Sequence, residues 1–483
     1  MVPLAHNTWV GDLNMCITNH SFNDADSVGV AIRGHIVSVN GDPFYGSQGS
    51  LLTDIEDGLV VIKDGLVCHV GPYHVLAKTL DAKMPITHYP GGIVSPGFID
   101  THVHYVQIPV LASYGERLID WLNLYAFPAE ARFCDSNYAT LVSQMFFDEL
   151  VRNGTTSALA FCAVYPESVD AFFSEALRRN MRVLGGKVLM DRNAPMDLLD
   201  TAQSAYDMSK ELIHKWHDKG RLGYAITPRF APTSTQQQLE MAAALHREHP
   251  DTLIQTHIAE NEAEVVWVRE LFPDRAGYLD VYDHSGLIGS RTVLAHAIHL
   301  TEAERRRCSE ADVALSHCPT SNSFLGSGLF RLRGVKEDKY RIRVGLGSDV
   351  GGGTRFSMLE TMGEAYKVGG LTGYPINAIR LFYLATLGGA QALGIEDKVG
   401  SIEVGKEADL VILDTHSTPL LDFRSRDADT IAEQLFLLAI MGDDRAILAT
   451  YVAGELAYCR DNANALLGSA DGVGASGRQL PPR

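Results

Sequence analysis

The chain has 483 residues, a hydrophobic fraction of 46% and a formal net charge of −18 at pH 7. No run of about 18 apolar residues occurs, which argues against a membrane-spanning helix, and the acidic balance argues against nucleic acids and anionic membranes as partners. A (β/α)₈ barrel takes about 250 residues, so the chain has room for a second module.

The first residues and the cysteines predict a cytoplasmic protein. The start, MVPLAHNTWVGDLNMC, lacks the basic and apolar regions of a signal peptide, and no arginine precedes Arg33, which argues against a transit peptide. The seven cysteines are scattered without a CxxC pair, as in proteins with reduced thiols: Cys16, Cys68, Cys134, Cys162, Cys308, Cys318 and Cys459. Residues 1–27 are expected to form an N-terminal extension.

Short strands are predicted near both ends of the chain. In GLVVIKDGLVCHVG (58–71), apolar runs flank Asp64-Gly65, a strong signal for a tight hairpin. Near the other end, KEADLVILD (406–414) precedes TYVAGELAYC (450–459), in which Ala453-Gly454 occupies the equivalent place. We expect residues 28–93 and 395–460 to form one small β-sandwich-like module.

Residues 94–394 alternate between apolar strand-like segments and helical stretches. Eight such segments separated by helices are typical of a (β/α)₈ TIM-type barrel. A doubly wound sheet would give a similar rhythm, but no glycine-rich turn follows the first strand. The segments are GGIVSPGFID, TTSALAF, MRVLGGKVLM, GRLGYAITP, DTLIQTHIA, RTVLAHAI, ADVALSHC and RIRVGLGSD. Residues 461–483, rich in Gly, Ala, Ser and Pro, are expected to be a flexible tail.

Histidines and an aspartate stand where the predicted strands end. His102 and His104 are two apart on the first strand, so their side chains point to the same side. The fifth, sixth and eighth strands end at His257, His296 and Asp349. Because the carboxyl ends of barrel strands meet on one rim, these five residues predict a metal site. Imidazole ligands suit Zn²⁺ or Fe²⁺.

The fourth strand favours one metal ion over two. A dinuclear site would usually need a bridging group such as a carboxylated lysine there, but the sequence has Thr227-Pro228-Arg229. Lys187 and Glu167 match no bridging position.

Glu260 lies three residues after His257, within reach of the same cavity. This placement suits a group that moves protons between water, a ring nitrogen and a leaving amine. We interpret the neighbouring Glu262 and Glu264 as solvated surface residues.

Longer motifs carry a family resemblance. The segment SPGFIDTHVHYVQ resembles the metal-binding signature of the amidohydrolase superfamily. Further segments resemble its guanine deaminase branch, over roughly residues 28–458: WLNLYAFPAEARF, GKVLMDRNAP, TPRFAPTS, HCPTSN, GLGSDVGGGT and LATLGGAQALG.

The resemblance implies a role for each matching residue. His102, His104, His257 and Asp349 would bind one zinc ion per chain, with Fe²⁺ as the alternative. His296 would orient the water or the tetrahedral intermediate, Glu260 would carry protons, and Asp349 would also accept a proton. Gln107 and Arg229 would bind the polar edges of a purine and Phe230 would stack on it, although core packing also explains Phe230. The resemblance also implies a homodimer.

The implied reaction is hydrolytic deamination of guanine to xanthine and ammonia. Two enzyme alternatives share the metal site: a deaminase of another heterocycle (8-oxoguanine, a thioadenosine nucleoside or a triazine), or an amide-ring hydrolase. A non-catalytic scaffold is the alternative of a different class. Four features are expected to be structural: Trp121 in a segment covering the site, His299 beside it, His317-Cys318 shaping a loop, and Gly351–Gly353 permitting a tight turn.

Overall fold

The computed structural model describes residues 29–46, 48–81, 83–115, 118–336 and 340–461. The predicted N-terminal extension, including Cys16, and residues 462–483 of the predicted tail lie outside the described residues. Within these ranges no helix is long and apolar enough to cross a membrane. The six cysteines that the structure describes are free thiols.

The strands, in chain order, are β1 (Val30–Val39), β2 (Leu52–Lys63), β3 (Leu66–Pro72), β4 (Ile86–Pro96), β5 (Phe98–His104), β6 (Thr155–Phe161), β7 (Arg182–Gly186), β8 (Val188–Leu189), β9 (Leu222–Pro228), β10 (Leu253–Ile258), β11 (Thr292–His296), β12 (Ala314–His317), β13 (Arg343–Leu346), β14 (Leu410–Leu413), β15 (Ile447–Val452) and β16 (Glu455–Cys459).

The helices, in chain order, are α1 (Gln48–Leu51), α2 (Tyr73–Leu76), α3 (Leu118–Trp121), α4 (Phe127–Glu130), α5 (Ser136–Arg152), α6 (Pro166–Arg178), α7 (Ala202–Trp216), α8 (Gln236–Glu248), α9 (Glu262–Leu271), α10 (Tyr278–Ser285), α11 (Glu302–Glu310), α12 (Pro319–Phe324), α13 (Arg333–Lys336), α14 (Met358–Leu371), α15 (Ala378–Ala385), α16 (Leu387–Leu393), α17 (Pro419–Ser425) and α18 (Ile431–Met441). Short 3₁₀-helices span Tyr105–Val110, Ala131–Cys134, Met196–Leu198, Ala231–Thr233 and Asp444–Ala446, and one π-helix spans Leu122–Ala126.

The central part of the chain forms the predicted (β/α)₈ barrel. Strands β5, β6, β7, β9, β10, β11, β12 and β13 are neighbours in that order, and each adjacent pair is parallel. The two-residue β8 continues β7 after Lys187 and also pairs with β9. At the open edge, the backbone N–H of Asp349 donates to the carbonyl of His102, which brings the end of β13 to the end of β5. The fold class is confirmed.

Strands from both ends of the chain form a second sheet, also as predicted. Its order is β16-β15-β14-β4-β1-β2-β3, and only the β1–β4 pair is parallel. Both predicted hairpins are confirmed, because their central residues all have positive φ: 52° at Asp64, 77° at Gly65, 47° at Ala453 and 79° at Gly454. Two positive φ angles give the turn that matches the twist of a hairpin.

The prediction that GGIVSPGFID is one barrel strand was wrong. Its first six residues end β4 in the small sheet, and β5 begins only at Phe98. Between them lies Gly97, where an added Cβ would come within 2.2 Å of the Thr156 hydroxyl oxygen. An apolar run continues across this junction because both sheets bury it, so hydrophobicity alone does not reveal the change of sheet.

An ion-pair network joins the small sheet to the barrel. Arg221, which precedes β9, donates to both Glu407 and Asp409 just before β14, at 2.6 and 2.7 Å. Arg182 at the start of β7 also pairs with Glu407. These contacts lie beside the amino ends of the strands, so the opposite end of the barrel remains available for the site.

Candidate metal centre and substrate pocket

Four histidines and an aspartate converge at the carboxyl ends of the barrel strands. Each is buried, with at most 9% of its surface exposed. His102 and His104 lie on β5, His257 on β10 and His296 on β11, while Asp349 follows β13. The structure therefore brings together the five residues that the sequence placed at strand ends.

Their ligand atoms are spaced as a metal ion requires. His104 Nε2 lies 3.1 Å from His257 Nε2. Asp349 Oδ1 lies 3.3 Å from His102 Nε2 and 3.4 Å from His104 Nε2. Zinc bonds of about 2.0–2.1 Å in tetrahedral geometry place neighbouring ligand atoms about 3.3 Å apart. These residues therefore fit a cation of the zinc type.

The protonation of the histidines supports the same conclusion. Burial lowers the pKa of His102, and it lowers the pKa of His104 and His257 further, so all three are neutral imidazoles at pH 7. The Nδ1 of His257 donates to the Arg229 carbonyl at 2.6 Å, which leaves its Nε2 lone pair for a metal. Among the residues that the structure describes, none is a hydrogen-bond partner of the buried Nε2 atom of His102. A cation at this point would satisfy that atom.

Asp349 has the charge expected of a ligand. Burial would raise the pKa of this carboxyl group, but the neighbouring His102 and His296 hold it at about 2. Its backbone is in the left-handed region at φ 51°, as are Ala259 at 48° and His296 at 68°. Such conformations cost about 1–3 kcal/mol for each residue other than glycine, and they cluster at functional sites.

Asp100 connects β5, which carries His102 and His104, to the segment after β13 that carries Asp349. Its carboxylate accepts hydrogen bonds from the backbone N–H of His102 and of Ser348, at 3.2 and 3.0 Å, and from the Ser348 hydroxyl. Sequence reasoning did not single out Asp100. The available signal was an acidic residue inside an apolar strand, two positions before His102.

Glu260 lies beside His296 within the same cavity. Its Oε2 is 3.5 Å from His296 Nε2, and its Oε1 accepts from the Ser327 hydroxyl at 3.0 Å. Burial raises the pKa of Glu260 to about 7, although His296 opposes the shift. His296 Nδ1 donates to Asn322 Oδ1 at 2.9 Å, which fixes the orientation of the ring. Glu260 can therefore both accept and donate a proton near neutral pH.

The expectation for Glu264 was wrong. Its side chain is completely buried and accepts hydrogen bonds from the backbone N–H of Glu260, at 2.9 Å, and from the Tyr278 hydroxyl. It also completes the N-terminal capping box of α9 with Asn261. Glu264 therefore holds the backbone that carries Glu260, whereas Glu262 is exposed as expected.

The three predicted ring-binding residues line the same cavity as the metal centre. Gln107, Arg229 and Phe230 border one cavity together with His104, His257, Glu260 and Asp349. Leu118, Trp121, Leu122 and Leu325 supply its apolar wall. Trp121, which we predicted to lie in a segment covering the site, therefore borders the pocket. One planar heterocycle suits a cavity with this lining.

Glu130, at the end of α4, was missed by sequence reasoning. It is completely buried and accepts from both Gln107 Nε2, at 2.8 Å, and Arg229 Nη1, at 2.6 Å. The sequence feature that could have indicated a buried carboxylate is the position of Glu130 inside WLNLYAFPAEARF, among mostly apolar residues. A helical acidic residue is usually solvated, so this signal was weak.

The remaining residues take supporting positions. His299 Nε2 donates to the Ser327 carbonyl at 2.9 Å, and the His317 ring stacks on Phe330. Gly351 has φ 103°, and a Cβ there would come within 2.3 Å of the Gln107 Cβ, so the turn requires glycine. Lys187 pairs with Asp200.

Known proteins share this architecture. The model described as the amidohydrolase family matches residues 93–457. The chain is 48% identical over 432 residues to guanine deaminase of Escherichia coli (strain K12), covering 89% of this chain and 98% of that protein. The E. coli guanine deaminase structure has a TM-score of 0.87 at 47% identity, covering 90% of this chain and all (100%) of that one. A guanine deaminase from C. acetobutylicum, with bound guanine in the active site, has a TM-score of 0.79 at 28% identity, covering 89% and 100%.

Proposed function

The chain belongs to the amidohydrolase family, and from this membership we propose that its pocket catalyses the hydrolytic deamination of guanine to xanthine and ammonia. The observation that supports the proposal most strongly is that one cavity contains both a set of possible metal ligands and a set of possible ring-binding residues. Buried imidazoles and a carboxylate lie at one end, and a guanidinium, an amide and a phenyl ring lie at the other. The first suits activation of water, and the second suits a flat ring with a carbonyl.

We assign the metal site to His102, His104, His257 and Asp349, with one zinc ion per chain and Fe²⁺ as the alternative. When bound there, the ion supplies Lewis acidity, which makes a water molecule a stronger acid. The near-tetrahedral spacing of the nitrogen and oxygen atoms supports a single ion. Elemental analysis of protein made without added metal tests both the identity and the number of ions.

The proton transfers are assigned to two carboxylates. Asp349 is ionised at neutral pH and accepts a proton from the attacking water, whose oxygen bonds to C2 of guanine. Glu260, with a pKa of about 7, donates its proton to the adjacent ring nitrogen. It then takes up the proton of the new C2 hydroxyl group and passes it to the amine, and the proton held by Asp349 restores the Glu260 acid. His296 orients the attacking oxygen. The C2–N bond breaks, ammonia leaves, and xanthine remains.

Substrate binding is assigned to Gln107, Arg229 and Phe230. Arg229 offers N–H donors to the C6 carbonyl of guanine, whereas adenine has an amine at that position. A buried donor that faces a donor stays unpaired, and sites of this kind reject the mismatched ligand by about 10⁴–10⁵-fold. On the premise that the cavity closes around the free base, guanosine should also be a poor substrate.

The testing experiment measures kcat/KM for guanine, guanosine, adenine and 8-oxoguanine by ammonia release. We expect guanine to be the best of the four and adenine to be deaminated negligibly. If another base in the panel is preferred, the family stands and the substrate assignment fails.

The likeness to guanine deaminases also supports three broader proposals: a homodimer, a cytoplasmic location and a part in purine catabolism. Sedimentation equilibrium of the purified protein tests the first of these.

A further inference from the structure

Glu130 connects two of the residues that we assign to the purine. One carboxylate oxygen accepts from Gln107, which lies on the 3₁₀-helix after β5, and the other accepts from Arg229, which follows β9. The three residues are far apart in sequence, and each is at most 2% exposed. Glu130 is therefore the link between two separate walls of the cavity.

This link determines which groups face a ligand. An ionised carboxylate only accepts hydrogen bonds, so Gln107 must turn its amide nitrogen toward Glu130. The amide carbonyl is then left as an acceptor. Arg229 commits Nη1 to Glu130, and the guanidinium lies over the Phe127 ring, with Cζ 5.1 Å from the centroid. Because these two contacts hold the planar guanidinium in place, its remaining N–H groups can donate only in fixed directions.

The carboxylate also balances charge in a buried place. Arg229 borders the same cavity as His104 and His257, two of the residues that we assign to the metal. A buried guanidinium without a partner is strongly unfavourable, and its cost rises beside a divalent cation. Glu130 supplies the compensating negative charge.

From these contacts we propose that Glu130 is a positioning residue that selects a lactam edge, a ring N–H beside a carbonyl, by orienting Gln107 and Arg229. Arg229 donors then meet the carbonyl, and the Gln107 carbonyl meets a ring N–H. This inference rests on guanine as the proposed substrate.

A double-mutant cycle tests whether Glu130 acts through Arg229. We expect Glu130→Gln and Arg229→Met each to lower kcat/KM for guanine by about 10²-fold, mainly through KM. The double variant should lie within about tenfold of Arg229→Met, because Arg229→Met already removes one of the two contacts of Glu130 and only the contact with Gln107 remains to be disturbed. If the two effects multiply to about 10⁴-fold, Glu130 does not act through Arg229 and the proposal fails.

The matched control is Glu175→Gln on α6. Glu175 is also buried and also bridges two partners, Arg178 and Arg179, but it does not border the cavity. This variant should lose stability in urea unfolding yet keep the wild-type KM. If Glu175→Gln raises KM as much as Glu130→Gln does, the effect is general destabilisation and the proposal is wrong.

Binding of hypoxanthine separates this inference from the proposed function. Hypoxanthine has the same lactam edge as guanine but no amine at C2, so its dissociation constant, measured by calorimetry, does not depend on turnover. We expect Glu130→Gln to weaken binding at least about tenfold.

The combined outcomes distinguish the two proposals. If wild-type protein does not deaminate guanine, but the effects of Glu130→Gln and Arg229→Met on hypoxanthine binding are not additive, only the proposed function fails. If guanine is deaminated and the binding effects are independent, only the role of Glu130 fails. If wild-type protein neither deaminates guanine nor binds hypoxanthine, both fail.

Discussion

The two ends of the pocket are held in place by different means. The imidazoles of the metal centre lie on β5, β10 and β11, so the hydrogen-bonded ladder of the barrel sets their positions. The other end, which we call the ring-binding wall, consists of Gln107 on a 3₁₀-helix, Glu130 on the short helix α4, and the loop of Arg229 and Phe230. The Glu130 carboxylate connects these segments by its hydrogen bonds with Gln107 and Arg229. In our assignment, the barrel backbone therefore positions the proposed metal ligands, whereas a side-chain network positions the residues proposed to bind the substrate.

This difference predicts that the two ends can be damaged separately. A change at the metal centre should abolish catalysis without unfolding the barrel. A change in the ring-binding wall should weaken substrate binding while the metal remains. Four substitutions, from the largest expected effect to the smallest, test that separation.

His257→Ala should have the largest effect. It removes one nitrogen of the cluster and leaves His104 Nε2 without its neighbour at 3.1 Å. We expect loss of the metal and a fall in activity of at least about 10⁴-fold, because the water is no longer activated. Elemental analysis and ammonia release measure the two losses.

Circular dichroism is the control for folding. The spectrum of His257→Ala should be unchanged, since the backbone hydrogen bonds of β10 do not involve this imidazole. Retention of full metal content would contradict the ligand assignment, and two essential ions per wild-type chain would contradict the mononuclear site.

Glu260→Gln should separate proton transfer from metal binding. The amide keeps the shape of the side chain but cannot carry a proton between water, ring nitrogen and amine. We expect kcat to fall by about 10²–10⁴-fold with unchanged metal content. If the variant loses its metal, Glu260 belongs to the metal centre, and if turnover stays near normal, the proton-transfer role is wrong.

The same contrast explains how much could be predicted from sequence. His102 and His104 are two apart on a strand, and parallel strands end on one rim, so local geometry was enough to predict their convergence with His257. Glu130 and Glu264 lie on helices, where an acidic residue is solvated by default, and only tertiary contacts show that both are buried. The change of sheet at Gly97 was hidden for a related reason, since both sheets bury apolar residues there.

Arg229→Met should damage the ring-binding wall and leave the metal centre intact. Methionine keeps the apolar stem but removes the donors to the purine carbonyl and leaves Glu130 without its cationic partner. We expect KM for guanine to rise and kcat/KM to fall by about 10²-fold or more, the scale of a charged hydrogen bond and its buried partner. Metal content should stay at the wild-type value. Simultaneous loss of the metal would show that the two ends of the pocket are not separable.

Ser327→Ala should have the smallest effect. It tests whether the Ser327 hydroxyl fixes the orientation of the Glu260 side chain in the pocket. The Ser327 hydroxyl donates to Glu260 Oε1 at 3.0 Å, and the Ser327 carbonyl accepts from His299, so the serine is itself fixed. Without this hydrogen bond Glu260 samples other rotamers, and we expect kcat to fall about tenfold with KM and metal content unchanged. Ser285→Ala is the matched control, because Ser285 is another buried serine, which donates to Val281 in its own helix, accepts from Gln236 and does not line the cavity. A rise in KM in place of a fall in kcat would place Ser327 with the ring-binding wall, since a residue that only orients the proton-transfer carboxylate leaves ground-state binding unaltered.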